Sequence, residues 1–487
     1  MASINPAARS LRLLQQVGSR CLCPAHSRQP VAVAHNCPSH GQGHRAATRQ
    51  SYASVKQPTR PAMEYAFEMA SSNIRFGEGA TREVGMDFLN LKTNKVCVLT
   101  DPNLKTMHPV REAIRSLEEN NVNYVLYDRV RIEPSDASFK DAIAFAQQHQ
   151  VDSFLAVGGG SVMDTAKAAN LYSSYPDADF LDFVNAPIGK GRPIDKALRP
   201  LIAIPTTAGT GSETTGTAIF DYKPLKVKTG IAHRALKPLL GIVDPLNTRS
   251  MPAQVHLASG LDVLCHAMES YTAIPYNLRS APPLNPLLRP AYQGSNPISD
   301  VWSLRALQMV VEYLPRVVKD PNDHQAQSQM LLAATFAGIG FGNAGVHLCH
   351  GMSYPISGLN KQYKHPQYQV DHNMVPHGIS VAVTAPAVFQ FTSAMYPERH
   401  LELAELFGAD ITNVKKEDAG RVLADRLRVY FQDLKVPNGI GALGFGSQDI
   451  PALVEGTLPQ HRVIKLAPLE AAKDDLQRIF EQSLNIY

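Results

Sequence analysis

Between about Tyr65 and Asp244, short apolar runs alternate with amphipathic stretches, and no other feature restricts the fold of this chain so tightly. Residues 95–101 read as a strand ending in a polar turn, 110–120 as a helix and 123–127 as a strand. Residues 139–149 read as a helix and 151–157 as a buried strand, and 200–205 and 240–243 continue the series. Strands that alternate with helices predict a parallel sheet covered on both faces. After Asp244 the strand signal fades, and 253–273, 300–318, 325–338, 379–392, 398–407, 417–434 and 469–484 carry the apolar spacing of helices. The expected organisation is an α/β dinucleotide-binding domain over 64–245 and an all-α domain over 246–487. Five prolines within 276–297 interrupt the helices and predict an extended surface loop.

Gly158-Gly159-Gly160-Ser161 closes the buried strand and opens a helix, with Asp164 and Lys167 following. Glycines there let the backbone approach a diphosphate, and the free amides of a helix start meet its charge. A second element, Pro205-Thr206-Thr207-Ala208-Gly209-Thr210-Gly211-Ser212-Glu213, ends the next strand with hydroxyls and glycines able to bond a nucleotide. Asp101, at the end of the first strand, serves equally as a partner for cofactor hydroxyls or as a cap. The GxGxxG pattern itself occurs at Gly340–Gly345 and Gly439–Gly444, but neither copy follows a strand, as the nucleotide mechanism requires.

Asp262 and His266 stand four residues apart in a helical stretch and so share one face. Cys349-His350-Gly351 and Pro376-His377-Gly378 supply two more imidazoles. One carboxylate and three imidazoles make a set of the kind that holds a catalytic divalent metal.

Charge excludes other partners. Residues 1–63 hold eight of the 47 basic side chains and no acid, leaving 39 basic against 43 acidic in the remainder. The net charge of +4 therefore implies no nucleic-acid partner. An acid-free leader rich in Arg, Ser and Ala has the features of a mitochondrial transit peptide. Uncharged windows at 330–349 and 378–397 contain glycines, prolines and polar side chains, and read as core helices and turns rather than membrane spans. Outside the leader only Cys97, Cys265 and Cys349 remain, too few for a disulfide framework.

These strings together resemble the iron-dependent alcohol dehydrogenase family: GGGS-x2-D-x2-K at Gly158, PTTAGTGSE at Pro205, GxDxxxHAxExY at Gly260, and the two His-Gly elements. The resemblance covers nearly all of 65–487 and implies the dehydroquinate synthase-like fold, with metal and nicotinamide meeting in the cleft between an α/β and a helical domain. It implies a metal held by Asp262, His266, His350 and His377, with Fe2+ first and Zn2+ second. It further implies tightly bound NAD(H) at Asp101, Gly158, Gly159, Gly160, Ser161, Thr206 and Thr207, with Asp164 and Lys228 nearby. Tyr354 stands where most relatives have a second histidine, and Val162 where many have proline. Within the family, residues 289–297, 338–358 and 456–468 resemble a branch that passes hydride between two small acids. That branch would take 4-hydroxybutanoate as donor and 2-oxoglutarate as acceptor, yielding succinate semialdehyde and 2-hydroxyglutarate. An ordinary NAD-dependent alcohol dehydrogenase releasing NADH is the alternative. Both acids need a cationic anchor, for which Arg279, Arg289, Lys361 and Lys364 are the sequence candidates. His347, His365 and His372 are expected outside the ligand set. A homo-oligomer is compatible with these features, and the sequence does not set the number of copies.

Overall fold

A computed structural model describes residues 62–365, 367–368, 370 and 372–487, so the expected transit peptide lies outside the described residues. In the first half, β1 (Asn73–Phe76), α1 (Val84–Asn90), β2 (Val96–Leu99), α2 (His108–Glu119), β3 (Tyr124–Tyr127), α3 (Asp136–His149), β4 (Ser153–Gly158), α4 (Gly160–Ser174) and β5 (Leu201–Pro205) follow in order. A hairpin of β6 (Thr217–Tyr222) and β7 (Val227–Ala232) then precedes β8 (Leu240–Val243). Six strands pair in the order β1-β8-β5-β4-β2-β3, all parallel.

Parallel strands buried on both faces must be apolar throughout, and successive side chains must serve opposite layers. Cys97, Leu99, Phe154 and Ala156 enter one core with Val162 and Ala166 of α4. Val96, Val98, Leu155 and Val157 enter the other, with Val110 and Leu117 of α2. From β2 the chain steps outward to β3, then returns to β4 on the opposite side of β2. This reversal opens a crevice at the carboxyl ends of β2 and β4, the position where open α/β sheets bind ligands. Asp101 follows β2 and Gly159 follows β4, so topology alone brings both to that crevice.

Beyond β8 the described residues are helical: α5 (Ala253–Thr272), α6 (Pro297–Lys319), α7 (His324–Ala344), α8 (Leu348–Gly358), α9 (His377–Ala382), α10 (Ala385–Thr392), α11 (Pro397–Leu406), α12 (Ala419–Asp433), α13 (Ile450–Thr457), α14 (His461–Ile464) and α15 (Lys473–Gln482). From Gly260 to Thr272, α5 is buried on every side, with α6, α7 and α9 packed around it. Its polar residues therefore face protein, and each needs a partner.

The structure departs from the sequence reading in three places. The β6–β7 hairpin has no counterpart in the expected series, because Lys, Gly and Thr on β7 obscure its alternation. The helix expected over 379–392 is two, since Pro386 lies in the first turn of α10 and a proline favours a helix start over its interior. The proline-rich loop is not wholly superficial: Tyr292 to Asn296 are buried, and the amides of Gln293 and Gly294 donate to the α7 carbonyls of Asn343 and Ala344. The uncharged window at 330–349, by contrast, spans two core helices and the bend between them, as the sequence reading has it. No single described helix is long and apolar enough to cross a membrane, and α7 and α8 meet at 103°. Gly345, at φ +99°, ends α7 there and turns the chain into the helix carrying His350.

Candidate active site

Asp262 and His266 lie one turn apart on α5, and His266 Nε2 is 3.6 Å from Asp262 Oδ1. His350 on α8 brings its Nε2 to 3.4 Å of the same oxygen, and His377, the first residue of α9, to 3.7 Å. The ligand atoms of Asp262, His350 and His377 all lie within 4.8 Å of one another. Asp262 Oδ1 and His350 Nε2 are buried with no hydrogen-bond partner. Buried polar atoms are rarely left so, and four converging donors around them fit one cation. Bonds of about 2.1 Å in a tetrahedral shell would separate neighbouring ligand atoms by about 3.4 Å, close to the spacing seen.

Glu269, a further turn along α5 from His266, is fully buried. Its Oε1 accepts from the amides of His347 and Cys349 at 3.1 and 2.7 Å, while Oε2 meets His350 Nδ1. Burial pushes this carboxyl upward, but His350, His347 and the amide bonds outweigh it and hold the group down to about 2. A carboxylate on the far nitrogen fixes ring orientation and presents Nε2 to a metal. Burial lowers His266 to about 3 and depresses His377, keeping those rings in the neutral form that ligation requires. Phe341 stacks on His266 with centroids 3.8 Å apart and planes 5° from parallel, and His350 covers the other side at 4.6 Å. Thus the Gly340–Gly345 string, a decoy as a nucleotide motif, supplies the ring that clamps a ligand. Sequence reasoning assigned no role to Glu269 or Phe341. The carboxylate stood in the recognised string, at helical spacing from His266.

A cavity of about 540 Å³ runs along the sheet crevice, lined by Asp101, Gly159, Gly160, Ser161, Thr206 and Thr207, and reaches Asp262 and His377. No side chain caps the start of α4 at Gly159, so its first amides are open to an anion. Thr206 Oγ1 is buried and unpartnered, and a Cβ at Gly160 would come within 2.6 Å of Thr210 Cγ2. Asp101 Oδ1 accepts from the amides of Asn103 and Leu104 at 2.8 and 3.2 Å, so this residue caps its turn while lining the cavity.

Three expected contacts sit elsewhere. Gly158 is paired with Pro205 inside the sheet. Asp164 accepts from Ser212 Oγ at 3.1 Å and from the Ile219 amide at 3.0 Å, and burial raises it to about 6. Lys167, also buried, donates to Ser212 and to the Thr217 carbonyl, so this Asp–Lys pair ties the threonine loop to the hairpin. Lys228 is ion-paired with Glu133 and lies 3.7 Å from Asp221.

Asp164 and Lys228 line a second chamber of about 170 Å³ that shares Asp262 and His377 with the first. Its walls include His266, His350, Phe341, Tyr292, Tyr354 and Arg462. Of the expected anchors, Arg289 is bound to Glu64, Lys361 to Asp449, and Lys364 is exposed. Arg279 lines a different cavity, of about 1050 Å³. None of the four lines the metal chamber; Arg462, which sequence reasoning passed over, does. His347 donates or accepts at Thr272 Oγ1, 2.9 Å away, and takes no place in the ligand cluster.

A nucleotide crevice at the reversal point of a parallel sheet, meeting a buried cluster of one aspartate and three histidines on helices, defines a metal-dependent dehydrogenase. Comparison agrees: residues 71–245 match the iron-containing alcohol dehydrogenase model, and 291–484 match the C-terminal model of the Fe-containing alcohol dehydrogenase family. The chain belongs to the iron-containing alcohol dehydrogenase family, whose members use a divalent metal and NAD(H). A Mus musculus protein named "Hydroxyacid-oxoacid transhydrogenase, mitochondrial" is 58% identical over 460 residues, covering 94% of this chain and 97% of its own length. A Dictyostelium discoideum protein, named a probable enzyme of the same kind, is 54% identical over 87% of this chain and 80% of its own. Among solved structures, a 1,3-propanediol oxidoreductase superposes with TM-score 0.74 at 26% identity, over 86% of this chain and all of that one.

Proposed function

We propose that this chain is a mitochondrial hydroxyacid-oxoacid transhydrogenase. It moves hydride from 4-hydroxybutanoate to 2-oxoglutarate through retained NAD(H), with Fe2+ at Asp262, His266, His350 and His377. The observation that carries this reading is the meeting of the 540 Å³ crevice and the ligand cluster at Asp262 and His377. Near-full-length likeness to proteins named for the activity supports it, as does their mitochondrial naming.

When bound, the metal supplies a Lewis acid that stabilises negative charge on the reacting oxygen. The chain does the rest. Glu269 and Phe341 set the planes of His350 and His266, so the ligands are preorganised. Gly159, Gly160 and Thr206 would hold the dinucleotide in the crevice that also reaches Asp262 and His377, where it would supply the hydride carrier. The 170 Å³ chamber, below the roughly 300 Å³ of ordinary ligand pockets, suits a short-chain acid. A nucleotide held in the crevice would leave the adjoining chamber free to exchange one acid for another.

Isotope tracing tests the reading. Deuterium on the carbinol carbon of 4-hydroxybutanoate should appear at C2 of 2-hydroxyglutarate, undiluted by added NADH. Turnover that requires added NAD and releases stoichiometric NADH without an oxoacid would make the chain a conventional dehydrogenase. Metal analysis of active protein decides between Fe2+ and Zn2+.

A further inference from the structure

Arg462, just inside α14, extends into the wall of the metal chamber. Its Nη2 donates to Tyr354 Oη at 2.9 Å, and its guanidinium carbon stands 5.1 Å from the centre of the Tyr292 ring. Nη1 is buried and makes no hydrogen bond. Among the described residues no carboxylate is paired with this side chain, whereas the chamber's lysine is balanced. Lys228 is held by Glu133 and Asp221. A guanidinium keeps its charge at any physiological pH, and a buried donor without a partner is costly. Here the missing partner is an anion.

We infer that Arg462 is the carboxylate anchor of the chamber, oriented by Tyr354 and Tyr292. This rests on the hydroxyacid-oxoacid reading and deepens it. In 4-hydroxybutanoate the carboxylate carbon lies three bonds from the carbinol carbon. In 2-hydroxyglutarate the distal carboxylate carbon lies three bonds from its carbinol carbon as well. One anchor at a fixed distance from the ligand cluster therefore registers both acids with their reacting carbons in the same place. The α-carboxylate of the oxoacid is then the only group that differs between the two half-reactions. Guanidinium suits the task because its fork meets both carboxylate oxygens in one plane. Tyr354 matters for the same reason: its hydroxyl accepts from Nη2, whereas an imidazole in its place could accept only through an unprotonated ring nitrogen.

The test uses metal- and nicotinamide-loaded enzyme, with glutarate as a probe that has the distal carboxylate but no reacting oxygen. Calorimetry should detect glutarate binding to the parent, weakened roughly 100-fold or more in Arg462→Met, the scale of a lost buried charge pair. Arg462→Lys should recover part of the affinity. In parallel, the ratio of kcat/KM for 4-hydroxybutanoate to that for butan-1-ol should fall by a similar factor in Arg462→Met. Equal losses on both substrates with glutarate binding intact would make the residue structural and overturn the inference. So would a parent that does not bind glutarate. Should Arg462→Met fail to fold, Arg462→Lys and Tyr354→Phe carry the test, each expected to weaken glutarate binding while retaining metal. A parent that binds glutarate through Arg462 yet transfers no deuterium between acids keeps the anchor and rejects the transhydrogenase reading.

Discussion

Glu269 shows how much a single buried side chain governs here. It lies behind the cluster, yet it accepts from the His347 amide in the α7–α8 turn, from the Cys349 amide in the first turn of α8 and from the ring of His350. Removing its charge leaves the shape and deletes the restraint on ring orientation. Glu269→Gln should lower metal affinity by roughly 10–100-fold, the usual cost of losing such a partner, as read by competition with a chelator. Unchanged affinity would mean that the ring is positioned by backbone alone. The sequence pointed to the four proposed ligands because one carboxylate and three imidazoles, two of these groups at helical spacing, form a familiar divalent-metal set. It missed Glu269 and Arg462 because neither residue type announces its burial. Glutamate and arginine are ordinarily solvated, and only enclosure makes them consequential.

At the scale of elements, the two His-Gly dipeptides are packing devices as well as carriers of the proposed ligands. A Cβ at Gly378 would land on the carbonyl oxygen of Ala258 and within 2.9 Å of the Asp262 amide. The glycine therefore lets α9 lie directly on α5, and that contact brings His377 to Asp262. Gly378→Ala should push the two helices apart and move His377 out of range, costing most of the bound metal while the chain stays folded. Metal content and far-UV circular dichroism on the same sample check both halves of that statement. Helices with clear periodicity, such as α5, α6 and α12, were legible within a few residues. The β6–β7 hairpin was not, because its stability comes from pairing with itself and from Asp164 accepting the Ile219 amide.

At the scale of the whole molecule, buried histidines away from the ligand cluster oppose folding as the pH falls. His256 is 1% exposed, neither of its nitrogens has a partner, and burial lowers it from 6.5 to about 4. His400 is lowered to about 4 by burial, despite the opposing bond from its ring to the Tyr396 carbonyl. A base depressed in the fold binds its proton in the unfolded chain first, so these residues cost nothing above pH 6.5 and destabilise as pH falls toward 4. For His256 the loss at pH 5 is about 2 kcal/mol. Urea midpoints at pH 7.5 and 5 should therefore differ less in His256→Leu than in the parent. An equal shift in both proteins would place the acid sensitivity elsewhere.

The chain's own pattern determined its architecture. Short, continuously apolar runs interleaved with helices leave little but a doubly covered parallel sheet, and 3.6-residue spacing after Asp244 leaves helices. Asp262 and His266 were fixed relative to each other by helix geometry, and Gly158 to Ser161 by the strand-to-helix turn. Tertiary structure decided which charged groups meet. His350 and His377 reach Asp262 from separate helices, Asp164 turns to the hairpin, and Arg289 and Lys361 find carboxylate partners while Arg462 does not. The physical reason is that periodicity records which face of an element is apolar, a local property. The partner of a charge depends on distances between residues far apart in the chain, which only packing sets.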